Sequence, residues 1–165
     1  MPPTVTLHLR HPVTDLTLTV SAGRRAPVVT GIRFGLYGKP GGASGREGQR
    51  ARKYRDDLRR FLDGRLKTLD HIPLALDSVT PFRRSVLLAA RRIRWGRTVS
   101  YEQLARMAGH PGATRAAASA MRNNPFPLIV PCHRVVRKDG SLGGFMGKTT
   151  GAAVELKRVL LDREA

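Results

Sequence analysis

Cysteine, acidic side chains and long apolar runs are all scarce in this chain of 165 residues. Its single cysteine, Cys132, excludes an internal disulfide and any zinc site built from several cysteines. An unpaired thiol suits a reducing cytosol. Twelve Asp and Glu stand against thirty Lys and Arg, leaving a net charge of +18 and a pI near 11.6. A field of that sign draws polyanions, with nucleic acid the first partner to consider; net charge informs on non-specific binding rather than on fold. No segment approaches the roughly 20 apolar residues of a membrane helix, and the opening "MPPTVTLHLRHP" lacks a charged-then-apolar leader. The expectation is a soluble, cytoplasmic protein with no membrane association. No internal repeat is visible, and no low-complexity tract beyond one glycine-rich loop. With 41% hydrophobic residues the chain can bury a core as one domain or two small ones.

What is present reads as strands first and helices after. Thr4 to Arg10 and Leu16 to Val20 alternate polar and apolar residues, the period of two of half-buried strands, and Val28 to Phe34 is a third candidate. An antiparallel meander is the simplest arrangement. "YGKPGGASGREG", Tyr37 to Gly48, has the composition of a mobile loop. Tyr54, Leu58, Phe61 and Leu62 then recur at helical spacing, with Gly64 as a stop and a basic opposite face. "DSVTPF" reads as a joint in which Thr80 caps a helix with Pro81 in its first turn, followed by an apolar stripe of Phe82, Val86, Ala89, Ala90 and Ile93. This order predicts an α+β chain: an N-terminal α/β domain over 1–79 and a mainly helical domain over 80–165.

Ser100 and Gln103 form a capping-box pattern at the start of "SYEQLARMAG", with Leu104 and Met107 expected to face inward and Gly109 to end the helix. After a short turn, Thr114 is placed as the cap of "TRAAASAMRNN", which Pro125 stops. Two short helices around a tight turn suggest a helix-turn-helix, although the pattern alone is more often an ordinary helical hairpin. The small residues Ala116, Ala117, Ala118, Ser119 and Ala120 let the second helix approach either a neighbouring helix or a DNA groove. The last helix is expected to place Ala152, Leu156, Val159 and Leu160 on one face and Arg and Lys on the other.

Cys132 lies in "FPLIVPCHRVV". A thiol reacts as its thiolate and needs a base, a cation or a helix N-terminus to ionise at neutral pH. His133 and Arg134 follow directly, although neighbours in an extended segment point opposite ways, so a bridging water is the expected link to His133. By spacing alone, a lone cysteine in an apolar run is more often a packed core residue.

The wider context separates the two. "VPCHRVV", preceded by "NNPFPLI" and by the helix pair, and followed by "GSLGGF", resembles the methylated-DNA–protein-cysteine methyltransferases, or O6-alkylguanine-DNA alkyltransferases, from about Thr80 to Glu164. The resemblance implies a ribonuclease-H-like first domain and a winged helix-turn-helix in the second. It implies a single-turnover enzyme that moves an alkyl group irreversibly from O6-alkylguanine, or O4-alkylthymine, in duplex DNA to Cys132. His133 would take the thiol proton through water and Glu164 would orient His133. Asn124 would serve as a hinge near the thiol, and Tyr101 would help rotate the nucleotide and protonate the departing base. Arg115 would fill the gap left by the flipped base. With Arg115, the residues Thr114, Ala116, Ala117, Ser119, Arg122 and Tyr101 would meet DNA in its minor groove. Val135, Gly144, Phe145 and Met146 would wall the base pocket. No cofactor and no metal is implied, and the chain would act as a monomer. The chain departs from the family pattern in "AAAS" where a glycine is usual, in Met146, and in "KTTGAAVE" before the last helix. Two alternatives stay beside this one: a non-catalytic alkylated-DNA lesion sensor, and a DNA-binding regulator that uses only the helix pair.

Overall fold

A computed structural model describes residues 4–22, 26–41 and 44–165. The chain divides into two compact units, Met1–Ala75 and Leu76–Ala165.

In the first unit the alternating segments form β1 (Thr4–Leu9), β2 (Leu16–Ser21) and β3 (Val28–Phe34), an antiparallel sheet in chain order. Leu7 pairs with Leu18 and Leu18 with Ile32, and the register shifts once between Thr19 and Val20. Helix α1 (Gly45–Leu62) buries Ala51, Tyr54, Leu58, Phe61 and Leu62, and packs on β1 and β2. The Tyr54 hydroxyl donates to the carbonyl of Pro27. Asp57 is buried on the same helix, hydrogen-bonded to His71 at 2.8 Å and ion-paired with Lys53 at 3.2 Å. The chain returns beside β3, where Val29 exchanges main-chain bonds with Pro73 and Ala75. The glycine-rich loop is shorter than composition suggested. Its last residues, Gly45 to Gly48, belong to α1, and Gly41 pairs with Thr6; Gly42 and Ala43 lie outside the described residues.

In the second unit Thr80 is the N-cap of α2 (Pro81–Arg91) with Pro81 in its first turn, but the Thr80 side chain makes no capping bond. Val86, Leu87, Ala89 and Ala90 are buried, while Phe82 is half-buried against the His110 ring. Strand β4 (Val99–Ser100) leads into α3 (Tyr101–Met107), where both halves of the Ser100–Gln103 capping box form. Leu104 and Ala105 face the core. Met107 does not: the last turn reaches the surface, where Arg92 donates to the Met107 carbonyl.

Helix α4 (Thr114–Arg122) is capped by Ala113, so Thr114 is its first helical residue and makes no side-chain cap. A Cys132–Arg134 3-10 turn precedes β5 (Val135–Val136), which pairs in parallel with β4. Helix α5 (Ala152–Glu164) keeps Leu160 inside and Arg158 and Arg163 outside as expected, but departs from the expected faces at Ala152 and Lys157. Its buried residues are Lys157, Leu160 and Glu164, whereas Ala152 is exposed and Leu156 and Val159 are half-buried. The spacing of these three places them on one stripe, and the two charged members are buried because both find partners inside. Among the described residues no helix is long and apolar enough to cross a membrane.

Candidate functional site

Two prolines and one amide shape the approach to the thiol. Pro125 forces the preceding residue out of helical geometry, and Asn124 follows α4 as a buried side chain. Its Oδ1 accepts the Phe126 N–H and its Nδ2 donates to the Val130 carbonyl, both at 2.9 Å. Val130 N–H in turn reaches the Phe126 carbonyl at 2.8 Å. Within this loop Leu128 holds a left-handed φ of 72°, a conformation that costs a non-glycine residue about 1 kcal/mol and is held here by the Asn124 bonds.

Cys132 begins a turn rather than an extended segment. Its N–H donates to Val130 and the Arg134 N–H to Pro131. The turn sends His133 and Arg134 to the same carboxylate, which an extended chain would prevent. His133 Nε2 lies 2.8 Å from Glu164 Oε1. Arg134 donates from Nε to Oε2 at 2.8 Å and from Nη2 to Oε1 at 2.9 Å, and its Nη1 reaches the Ile93 carbonyl at 2.6 Å. The Gly96 N–H adds a fourth hydrogen bond to Glu164 at 3.3 Å. Burial would raise the Glu164 carboxyl, but His133 and Arg134 pull it down to about 2.

An ionised carboxylate only accepts hydrogen bonds, so His133 Nε2 carries its proton and Nδ1 holds a lone pair. Burial pushes the imidazole below its usual range, against the pull of Glu164, and so keeps it neutral. Nδ1 is fully buried and has no hydrogen-bond partner among the described residues. The thiol of Cys132 is pushed up by burial. A hydrogen bond from the Asn124 side chain, the charge of Lys157 and nearby main-chain N–H groups oppose that shift. Cys132 is thus a protonated thiol at rest, set beside groups that favour its ionised form.

Lys157 is the unexpected member of this set. It is wholly buried and donates to the carbonyls of Val135 and Leu142 at 2.6 Å and Gly144 at 3.3 Å. Burial brings its ammonium down to about 8, against the attraction of Cys132.

A cavity of about 320 Å³ opens onto Cys132. Tyr101, Ala118 and Met121 line it from the helix pair, and Gly144, Phe145, Met146 and Gly147 from the following loop. That loop turns tightly: Phe145 and Lys148 exchange main-chain bonds at 2.8 and 2.9 Å, with Met146 and Gly147 both at positive φ, as in a type I′ hairpin. Burial, with the neighbouring Cys132, raises the Tyr101 phenol above its ordinary range, and Arg137 opposes the shift.

Most of the expected site residues meet here. Cys132, Tyr101, Arg122, Gly144, Phe145 and Met146 line the cavity, with His133, Asn124 and Glu164 buried among the residues that support it. Arg115, Ala116 and Ser119 are exposed on α4, and Thr114 is half-buried. Two expectations fail. Val135 is not a pocket wall: it is wholly buried, pairs with Val99 and gives its carbonyl to Lys157. Ala117 cannot meet a groove, because it is wholly buried in the face of α4 that packs inward. Sequence reasoning assigned no role to Arg134, Lys157 or Arg137. For Lys157 a signal existed, since Lys157 and Glu164 stand seven apart on one helix face with Leu160 between them.

Residues 81–165 match the family model described as the DNA-binding domain of 6-O-methylguanine DNA methyltransferase. The chain belongs to this family. Its relatives include a methylated-DNA–protein-cysteine methyltransferase of Methanothermobacter thermautotrophicus, 42% identical over 113 residues, 68% of this chain. That match spans 60% of the relative's own length. Among solved structures, the O6-methylguanine methyltransferase of Mycobacterium tuberculosis superposes with a TM-score of 0.75 at 32% identity, covering 98% of this chain and 92% of that one. The Mycobacterium tuberculosis protein solved in complex with DNA gives 0.74 at 33% identity, over 95% and 90%. Both cover the α+β arrangement of strands and helices described above.

Proposed function

We propose that the chain repairs duplex DNA by moving the methyl group of O6-methylguanine onto Cys132, once per molecule. The observation that carries this reading is the thiol at the cavity, with a neutral histidine in the same turn and that histidine's carboxylate partner reaching it from α5, both buried. The extruded base would enter the cavity, and α4 would enter the minor groove through its exposed residues Arg115, Ala116 and Ser119. In this reading residues 80–165 are the DNA-binding and acceptor domain.

The step balances as follows. The thiol proton passes through water to His133 Nδ1, whose charge Glu164 stabilises. The sulfur attacks the methyl carbon in line, and the C–O6 bond breaks with its electron pair left on guanine. Tyr101 donates a proton to the departing base and is later reprotonated, so the net transfer is of the thiol proton to guanine. The product is a neutral thioether with no leaving tendency, which makes the transfer irreversible. Ionising the thiol during attack, rather than at rest, keeps a reactive anion out of the resting site. O4-alkylthymine would require the same cavity and is the finer question of substrate range.

The decisive test is intact mass after incubation with a duplex oligonucleotide carrying O6-methylguanine. A gain of one methyl on Cys132, absent in Cys132→Ser, is expected. Tight binding to the lesion without mass gain would instead identify a lesion sensor, and equal affinity for undamaged duplex without transfer would identify a regulator.

A further inference from the structure

The cavity contains no carboxylate among its lining residues, yet two arginines line it. Arg122 comes from the end of α4, and Arg137 follows β5. Each packs on one of the two glycines that bound the cavity loop. A Cβ added at Gly143 would meet Arg137 Cγ at 3.3 Å and the Tyr101 ring at 3.7 Å, and one added at Gly147 would meet Arg122 Nε at 3.3 Å. The main chain of Arg137 is pinned by bonds to Ser141 at 2.9 Å and from Gly140 at 3.0 Å. Its side chain is exposed and makes no ion pair among the described residues. Asp139, two residues on, gives its Oδ1 to the N–H and hydroxyl of Ser141.

We infer that Arg137 is a positioning residue that holds a phosphate flanking the extruded nucleotide, with Arg122 serving the phosphate on its other side. The inference rests on the methyl-transfer reading. A flipped nucleotide carries a neutral base and a phosphate on each side. The base suits a cavity lined by Met121, Phe145 and Met146, while the phosphates stay at its mouth and need cations there. The two cations stand at opposite ends of the loop that closes over the base, each stem backed by a glycine that leaves room for it. The fixed fork of a guanidinium accommodates a phosphate in two hydrogen bonds where a lysine offers a point charge.

Free O6-methylguanine base has no phosphate, so two substrates separate this role from any action on the pocket itself. Arg137→Ala is expected to slow transfer from the duplex by roughly tenfold, the scale of one charge-assisted bond. Transfer from the free base, which meets Arg137 only through its effect on Tyr101, should fall much less. The dependence of log affinity on log salt should flatten by about 0.9, one phosphate contact, and Arg137→Lys should recover part of the duplex rate. Equal loss on both substrates would overturn the inference, since it would place Arg137 in the pocket or on Tyr101. An unchanged duplex rate would overturn it as well. A wild-type chain that gains no methyl from either substrate would overturn the methyl-transfer reading, and this one with it.

Discussion

Arg134 grips Glu164 with two nitrogens, at 2.8 and 2.9 Å, and so takes hold of the carboxylate that also meets His133. The carboxylate therefore has two duties. It fixes the tautomer of the imidazole, and it is the counter-charge of a buried guanidinium.

The first prediction follows from that double duty. The Glu164 carboxyl titrates near 2 in the folded chain, against an ordinary value of 4.5. Its folded value is depressed, so the stability it contributes is fully present above about pH 4.5 and is lost as pH falls toward 2. The contribution is on the order of 3 kcal/mol. Urea denaturation across this window should show a steep loss in the wild type. Glu164→Gln should begin less stable, with a buried guanidinium left uncompensated, and should show a shallower acid slope.

Lys157 supplies a second. Its charge favours the Cys132 thiolate, so Lys157→Met should push the thiol further up. The rate at which iodoacetamide alkylates Cys132 at pH 7, where the ammonium still carries its charge, should fall. The substitution also removes the donor shared by Val135, Leu142 and Gly144. A loss of about 2 kcal/mol in stability is expected from carbonyls left unpaired. An unchanged alkylation rate at pH 7 would show that the lysine only braces the loop.

Gly96 gives a third. It sits at φ 72°, and a Cβ there would lie 2.8 Å from the main-chain oxygen of Glu164. Gly96→Ala would strain the backbone and displace the end of α5, with a loss of about 2 kcal/mol or more. Thermal unfolding should register the loss, and the acid slope assigned to Glu164 should weaken in the same variant.

Much of this was visible in the sequence. Alternation located the three strands, and the Ser100–Gln103 pair located α3, because both signals are local. Cys132, His133 and Asn124 were found through motif context rather than through periodicity. The errors have one origin, in that a pattern of polar and apolar residues cannot register a partner far away in the chain. Lys157 reads as a solvent-facing lysine until three carbonyls from two other segments surround it. Val135 reads as a pocket wall until its strand pairs with Val99 and turns it inward. The Cys132 turn was missed because an apolar run ending in proline looks extended. Thr114 was displaced by a single residue, within the ordinary uncertainty of a helix boundary.

The Asn124 side chain has a mechanical consequence. One amide bonds the main chain at Phe126 and at Val130, and it sits directly after the helix whose outer face carries Arg115 and Ser119. Val130 in turn accepts the N–H of Cys132. A push on α4 therefore travels through two short, stiff bonds to the atoms that set the position of the thiol. Load on the helix and placement of the sulfur are one mechanical coordinate, so in the proposed reading a duplex that seats the helix would also aim the thiol.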